Sequence, residues 1–123
     1  MSYELEHEIN QLHAEICAGL ADPKRILILY ALSDKPSTVS ELVNLLELSQ
    51  PMISRHLKIL RQRGMVNSNR IGTSIKYSLS DSRLIEALNL LRAVLASNLR
   101  SQAALADTVD ETQTHPNQPG EIE

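Results

Sequence analysis

Apolar residues recur along the first twenty positions as Leu5, Ile9, Leu12, Ile16 and Leu20. Steps of four, three, four and four line one face of a helix. Asp22-Pro23 breaks this pattern and starts a new one, the aspartate suited to an N-cap and the proline to a first helical position. The run PKRILILYALS over 23–33 is apolar nearly all round, which predicts a short buried helix. Asp34-Lys35-Pro36-Ser37 reads as a turn, after which Ser37 or Thr38 can cap a third helix with Glu41 in its first turn. In that helix Val39, Leu42, Val43 and Leu46 stand at i, i+3, i+4 and i+7.

Leu48 and Ser49 mark a brief break before a fourth helix over about 50–63, with Ser49 as N-cap, Pro51 tolerated in the first turn and Gly64 as C-terminal cap. Ile53, Leu57 and Leu60 face inward; Gln50, Ser54, Lys58 and Arg61 face outward. Two alternating segments, 65–70 and 74–79, flank Ile71-Gly72-Thr73 and predict a two-stranded hairpin. A long last helix over roughly 82–105 repeats Leu84, Leu88, Leu91 and Leu95, with Val94 and Leu99 beside them. Residues 107–123 hold only Val109 and Ile122 as large apolar side chains, among Pro116, Pro119 and Gly120. One domain over 1–106 followed by an acidic disordered tail over 107–123 is the expected organisation.

Composition adds exclusions. The 123 residues include no Trp or Phe and only three Tyr, so the core must be aliphatic. The single cysteine, Cys17, excludes an intrachain disulfide and an all-cysteine metal site within one chain. No apolar run approaches the ~18–20 residues of a membrane span. The polar start MSYELEHEIN is unlike a signal peptide, and a cytoplasmic protein with no membrane partner is expected.

The net charge of −3 conceals an uneven distribution. Residues 1–20 and 107–123 carry acids and no Lys or Arg, so all twelve basic residues fall in 21–106, against six acids. Within that middle, 48–80 holds Arg55, Lys58, Arg61, Arg63, Arg70 and Lys76 without one Asp or Glu. A polyanion would meet this stretch.

Helix, tight turn, helix and basic hairpin is the element order of a winged helix-turn-helix, mainly α with a small β-hairpin. Small and polar groups at Ser49, Gln50, Pro51, Met52 and Ser54 allow close approach to base edges, while Arg55, Lys58 and Arg61 reach phosphates. On the hairpin, Arg70, Thr73 and Lys76 suit backbone or minor-groove contact. Isolated basic residues on a helix usually form only a solvated face; here that reading must also explain an acid-free stretch beside two capped helices and a glycine-turn hairpin.

The run 48–61 (LSQPMISRHLKILR) followed by Gly64-Met65-Val66 resembles the ArsR/SmtB family of bacterial repressors. So do 20–29 (LADPKRILIL) before it, and Arg70-Ile71-Gly72-Thr73 with Lys76-Tyr77-Ser78-Leu79 after it. The resemblance covers about 10–100. It implies a homodimer paired through the first and last helices, binding to double-stranded operator DNA, and release when an inducer binds. The stripes Leu5/Ile9/Leu12/Ile16 and Leu84/Leu88/Leu91/Leu95 fit such pairing, although on periodicity alone they serve equally as simple core.

Metal-sensing members of that family carry a Cys-x-Cys pair where this chain has Thr38 and Ser40, which supply no thiolate. A second family site on the last helix is matched only at Asp81, while Ser82, Arg83, Val94 and Ser97 stand at its other positions. Asp81 therefore reads as a helix cap, and no metal or cofactor is expected. His13 and Cys17, i and i+4 on the first helix, are a candidate sensor pair across a dimer, against the plainer reading of Cys17 as a small buried hydrophobe. His56 reads as structural, and His7 as a solvated surface residue.

Two other classes compete. A winged-helix protein-interaction module without DNA binding would present an acidic or apolar face over 50–61, where this chain has Lys and Arg. An enzyme would need a phosphate loop, a nucleophile with its base, or a metal triad, and the sequence shows none.

Overall fold

The computed structural model describes the backbone of residues 1–112 and the side chains of residues 1–106. It divides into two compact units, Met1–Ile85 and a second beginning at Glu86.

In the first unit, α1 (Tyr3–Leu12) is capped by the Ser2 hydroxyl, which accepts the Leu5 N–H at 3.0 Å. It runs into a π-helical segment, His13–Cys17, and then a last short turn, α2 (Ala18–Leu20). The consecutive steps of four from Leu12 to Ile16 to Leu20 drift off one face of a regular α-helix, and the wider π turn, with its i→i+5 bonds, absorbs that drift. The expected single helix is thus interrupted where its spacing departs from 3.6. Asp22 caps α3 (Pro23–Asp34) by accepting the Lys24 N–H at 2.8 Å, with Pro23 in the first turn.

Thr38, rather than Ser37, caps α4 (Val39–Leu46). Its hydroxyl accepts the Glu41 N–H while the Glu41 carboxylate accepts the Thr38 N–H, a reciprocal capping box. Glu47 ends α4 at φ 56°, a left-handed conformation usually left to glycine. After this three-residue turn, α5 (Gln50–Gln62) begins under its Ser49 cap, the hydroxyl accepting the Met52 N–H at 3.3 Å.

Gly64 at φ 75° closes α5. Its N–H donates to the Arg61 carbonyl and the Met65 N–H donates to the Leu60 carbonyl, the paired bonds of a Schellman motif. The chain then enters β2 (Val66–Ile71) and β3 (Ser74–Leu79), joined by the two-residue loop Gly72-Thr73 with Gly72 at φ 65°. The hairpin is one strand wider than its sequence predicts. β1 (Ser37–Thr38) pairs antiparallel with β3, placing Thr38 opposite Lys76 and giving the order β1-β3-β2. Two residues carry no readable alternation, so this edge strand exists only because β3 presents a free edge to it.

The core of this unit is aliphatic, as the composition requires: Ile28, Leu29, Leu42, Ile53, Leu57, Leu60 and Met65 have no exposed surface. One face of α3 (Ile28, Leu29 and Leu32) and the inward face of α5 supply most of it; Leu27 is 52% exposed, so α3 is not buried all round as its apolar run predicts. No residue of α1 is buried.

The last helix, α6 (Arg83–Thr112), starts at Asp81, whose carboxylate accepts the Arg83 N–H at 2.9 Å and the Arg83 guanidinium at 2.6 Å. Those bonds hold the Asp81 carboxyl down at about 2. The helix continues six residues past the expected boundary at 107, because no Pro or Gly interrupts its hydrogen bonds there; the first such residue is Pro116. The rest of the expected tail, 113–123, lies outside the described residues. In the second unit Leu91, Val94, Leu95 and Leu99 stay more than half exposed, whereas Leu88 is only 5% exposed within the single chain. No helix among the described residues is long and apolar enough to cross a membrane.

Candidate nucleic-acid interface

The inward face of α5 is fixed by Ile53, Leu57 and Leu60, which leaves the opposite side free. Gln50, Pro51, Arg55, Lys58 and Arg61 are exposed, as is the cap Ser49; Met52 and Ser54 are half-buried. The Gln50 side-chain amide donates to the Ser54 hydroxyl at 2.9 Å, so the two polar groups nearest the helix start are ordered before any partner arrives. The side chains of Arg55, Lys58, Arg61 and Arg70 meet no carboxylate within salt-bridge distance among the described residues. Their charge is uncompensated and exposed.

The hairpin departs from expectation in one respect. Its register pairs Arg70 with Ile75 and Asn69 with Lys76. Side chains alternate across a strand, so Arg70 and Lys76 stand on opposite faces of the ribbon. Thr73 lies in the tip loop. Arg70 and Lys76 therefore cannot share one contact surface unless the ribbon enters a groove edge-on.

Three residues that support the interface carry no motif signal for that role. Arg63 belongs to the acid-free stretch, yet its guanidinium donates to the Ala14 carbonyl at 2.5 Å and lies 3.8 Å from the Glu15 carboxylate, tying the end of α5 to the π-helical segment. Gly19 lets α2 approach closely, since a Cβ there would overlap the Met65 methyl. Arg25 donates to the Gly19 carbonyl at 2.7 Å and the Ala18 carbonyl at 3.3 Å, and its Nη1 reaches His56 Nδ1 at 3.3 Å. Arginine has donors only, so Nδ1 accepts and the neutral ring keeps its proton on Nε2.

His56 is 4% exposed. Burial lowers its pKa; Asp22 pulls it back up, and Arg25, Arg55 and Lys24 push it further down. The ring is a structural strut of α5, as its sequence context implies. Below about pH 6.5 the unfolded chain takes up this proton before the folded chain does, so stability is complete above that pH and falls as pH drops towards the lower folded value. His56→Gln keeps an acceptor for Arg25 and is expected to flatten this part of the pH dependence. Urea midpoints measured for both proteins between about pH 7.5 and 5.5, a window that brackets the ordinary histidine value, check it. Parallel curves would count against His56.

Cys17 and His13 are both exposed, so Cys17 is not the buried hydrophobe that its apolar helix suggests. Among the described residues no group of three or more His, Cys, Asp or Glu could hold a metal ion. Thr38 is engaged as the α4 cap and Ser40 is exposed.

A short-turn helix pair, its second helix bare on one side, and an antiparallel hairpin behind it define a winged helix-turn-helix. The same fold is seen in the winged helix-turn-helix DNA-binding domain, described as homodimeric, of a Mycobacterium bovis protein (22% identity, 82% of this chain and 93% of that one, TM-score 0.70). Residues 22–68, from the α3 cap into β2, match the family described as "Bacterial regulatory protein, arsR family". The nodulation protein NolR of Rhizobium meliloti is 35% identical over 101 residues, 74% of this chain and 83% of that protein. The transcriptional repressor SmtB of Mycobacterium tuberculosis is 40% identical over 77 residues, 63% of this chain. The chain belongs to the ArsR family. Its match spans 57% of the length of that SmtB protein.

Proposed function

We propose that the chain is a sequence-specific DNA-binding transcriptional repressor of the bacterial cytoplasm, acting as a homodimer and released from its operator by an inducing signal. The observation that carries this reading is the row of exposed, uncompensated cations Arg55, Lys58 and Arg61 on the free side of a helix whose other side is core. Gln50, Ser54 and Arg55 read base edges from the N-terminal half of α5, with Ser49, Pro51 and Met52 allowing close approach; Lys58 and Arg61 hold phosphates. Arg70 and Thr73 at the hairpin end, and Lys76 on the ribbon's other face, add backbone contacts. An interaction module that ignores DNA gains no support, because the face over 50–61 is neither acidic nor apolar.

A second copy accounts for the apolar surface that the single chain leaves open. Leu5, Ile9 and Leu12 on α1 are 40–50% exposed, and Leu91 and Leu95 on α6 are about 60% exposed. Burial of these stripes against a two-fold mate, with half-buried Ile16 and Leu84 at their margins, would let two α5 helices read half-sites about 34 Å apart. Residues 1–106 are proposed to suffice for both dimerisation and DNA binding.

Footprinting of the purified protein on DNA upstream of its own gene tests the reading. Two protected half-sites one helical turn apart are expected, and protection that does not distinguish that DNA from unrelated sequence would sink it. Arg70→Ala is expected to weaken all DNA similarly and to lower the log-log salt slope by about 1. An unchanged slope would move the hairpin off the DNA.

A further inference from the structure

We propose that the concavity along one face of the hairpin, between Lys35 and Lys76, binds a small organic anion: a carboxylate carried on an apolar body. The cavity, of about 350 Å³, is lined by Lys35, Pro36, Asn69, Ile71, Lys76 and Ser78. That volume sits at the low end of the roughly 300–1,000 Å³ of small-molecule sites. Strand register explains its lining. Asn69 and Lys76 are direct partners, and Ile71 and Ser78 lie two residues further along their strands, so all four side chains share one face of the ribbon. Pairing of β1 with β3 brings Lys35 and Pro36 to the same edge.

The polar groups converging there have no partner within the fold. The side chains of Lys35, Asn69, Lys76 and Ser78 make no hydrogen bond or ion pair among the described residues. Glu41 is the opposing charge that senses both lysines. Its carboxyl is held below the usual range first by the Thr38 N–H bond, then by Lys76 and Lys35. That carboxylate is already engaged in the capping box and lies beyond ion-pair distance of either ammonium. Two cations facing one engaged carboxylate leave a net positive site. An amide and a hydroxyl add donors for carboxylate oxygens, and Pro36 with the half-exposed Ile71 offers a surface for an apolar body.

If the chain is the repressor proposed here, an anion seated in this cavity would neutralise Lys76 and weaken DNA binding; the pocket itself does not depend on that function. The test titrates the full ¹⁵N-labelled chain with sodium benzoate, with inorganic phosphate, and with chloride at matched ionic strength. Saturable amide shifts at Asn69, Lys76 and Ser78 with benzoate are expected. Lys35→Gln should weaken binding about tenfold, and Ile71→Ala should weaken benzoate without affecting phosphate; the amide spectrum of each variant reports its fold. Shifts that grow linearly, or that chloride reproduces, would overturn the proposal. Phosphate binding as well as benzoate, with Ile71→Ala silent, would also overturn it, making the cavity a seat for a bare phosphate such as one of the DNA backbone. A parallel titration of labelled DNA at fixed ionic strength is expected to show affinity falling as benzoate rises. Failure to bind DNA at all would remove the repressor function, while the benzoate titration would still decide for or against the pocket.

Discussion

Leu57→Ala is expected to cost about 2–5 kcal/mol of folding stability, the range for emptying a fully buried leucine site. Leu57 has no exposed surface and lies mid-way along α5, flanked on the same face by Ile53 and Leu60, which are equally buried. The loss combines the transfer free energy of the removed methine and two methyl groups with the cavity left behind. Against a total of about 5–15 kcal/mol for a small domain, this is a large share. A urea titration reads it as a lower midpoint at unchanged slope. A shift below about 1 kcal/mol, well under the range for a buried leucine, would show that this face is not the core. The folded fraction should still bind DNA with its original affinity, because Leu57 presents nothing to the outer side of the helix.

Ser54→Ala with Arg55→Ala is expected to act the other way, leaving stability nearly unchanged and reducing operator affinity by well over tenfold. Each base-directed contact contributes about 1–3 kcal/mol of discrimination. Arg55 is exposed and unpaired, so its removal breaks nothing inside the fold. Ser54 gives up one exposed hydrogen bond, the one it accepts from Gln50. Fluorescence anisotropy on operator and on unrelated DNA separates the two losses: affinity for the operator should fall further than affinity for unrelated sequence. Operator affinity within twofold of the unsubstituted protein would mean that α5 reads DNA through another face. Together the two experiments test whether one helix divides into a side that folds the protein and a side that, as proposed, recognises DNA.

The buried and bare sides of α5 were legible in the sequence because they rest on helical periodicity. The steps Ile53, Leu57 and Leu60 set the buried side, and the caps at Asp22, at Ser37 or Thr38, and at Ser49 set where each helix begins; all are local, and the structure agrees, with Thr38 the cap of α4. The aliphatic composition and the acid-free stretch over 48–80 are likewise properties of the chain alone. Tertiary structure decided what depends on a neighbour distant in sequence. Arg63 looks like its basic neighbours, and only the nearby Ala14 carbonyl makes it a strut. Arg70 and Lys76 look equivalent until strand register sends them to opposite faces. Ser37 and Thr38 become a strand only because β3 has a free edge, and that pairing builds the cavity between Lys35 and Lys76. Periodicity and capping are set within a turn or two of chain, whereas register, close approach and burial depend on which distant residues the fold brings together.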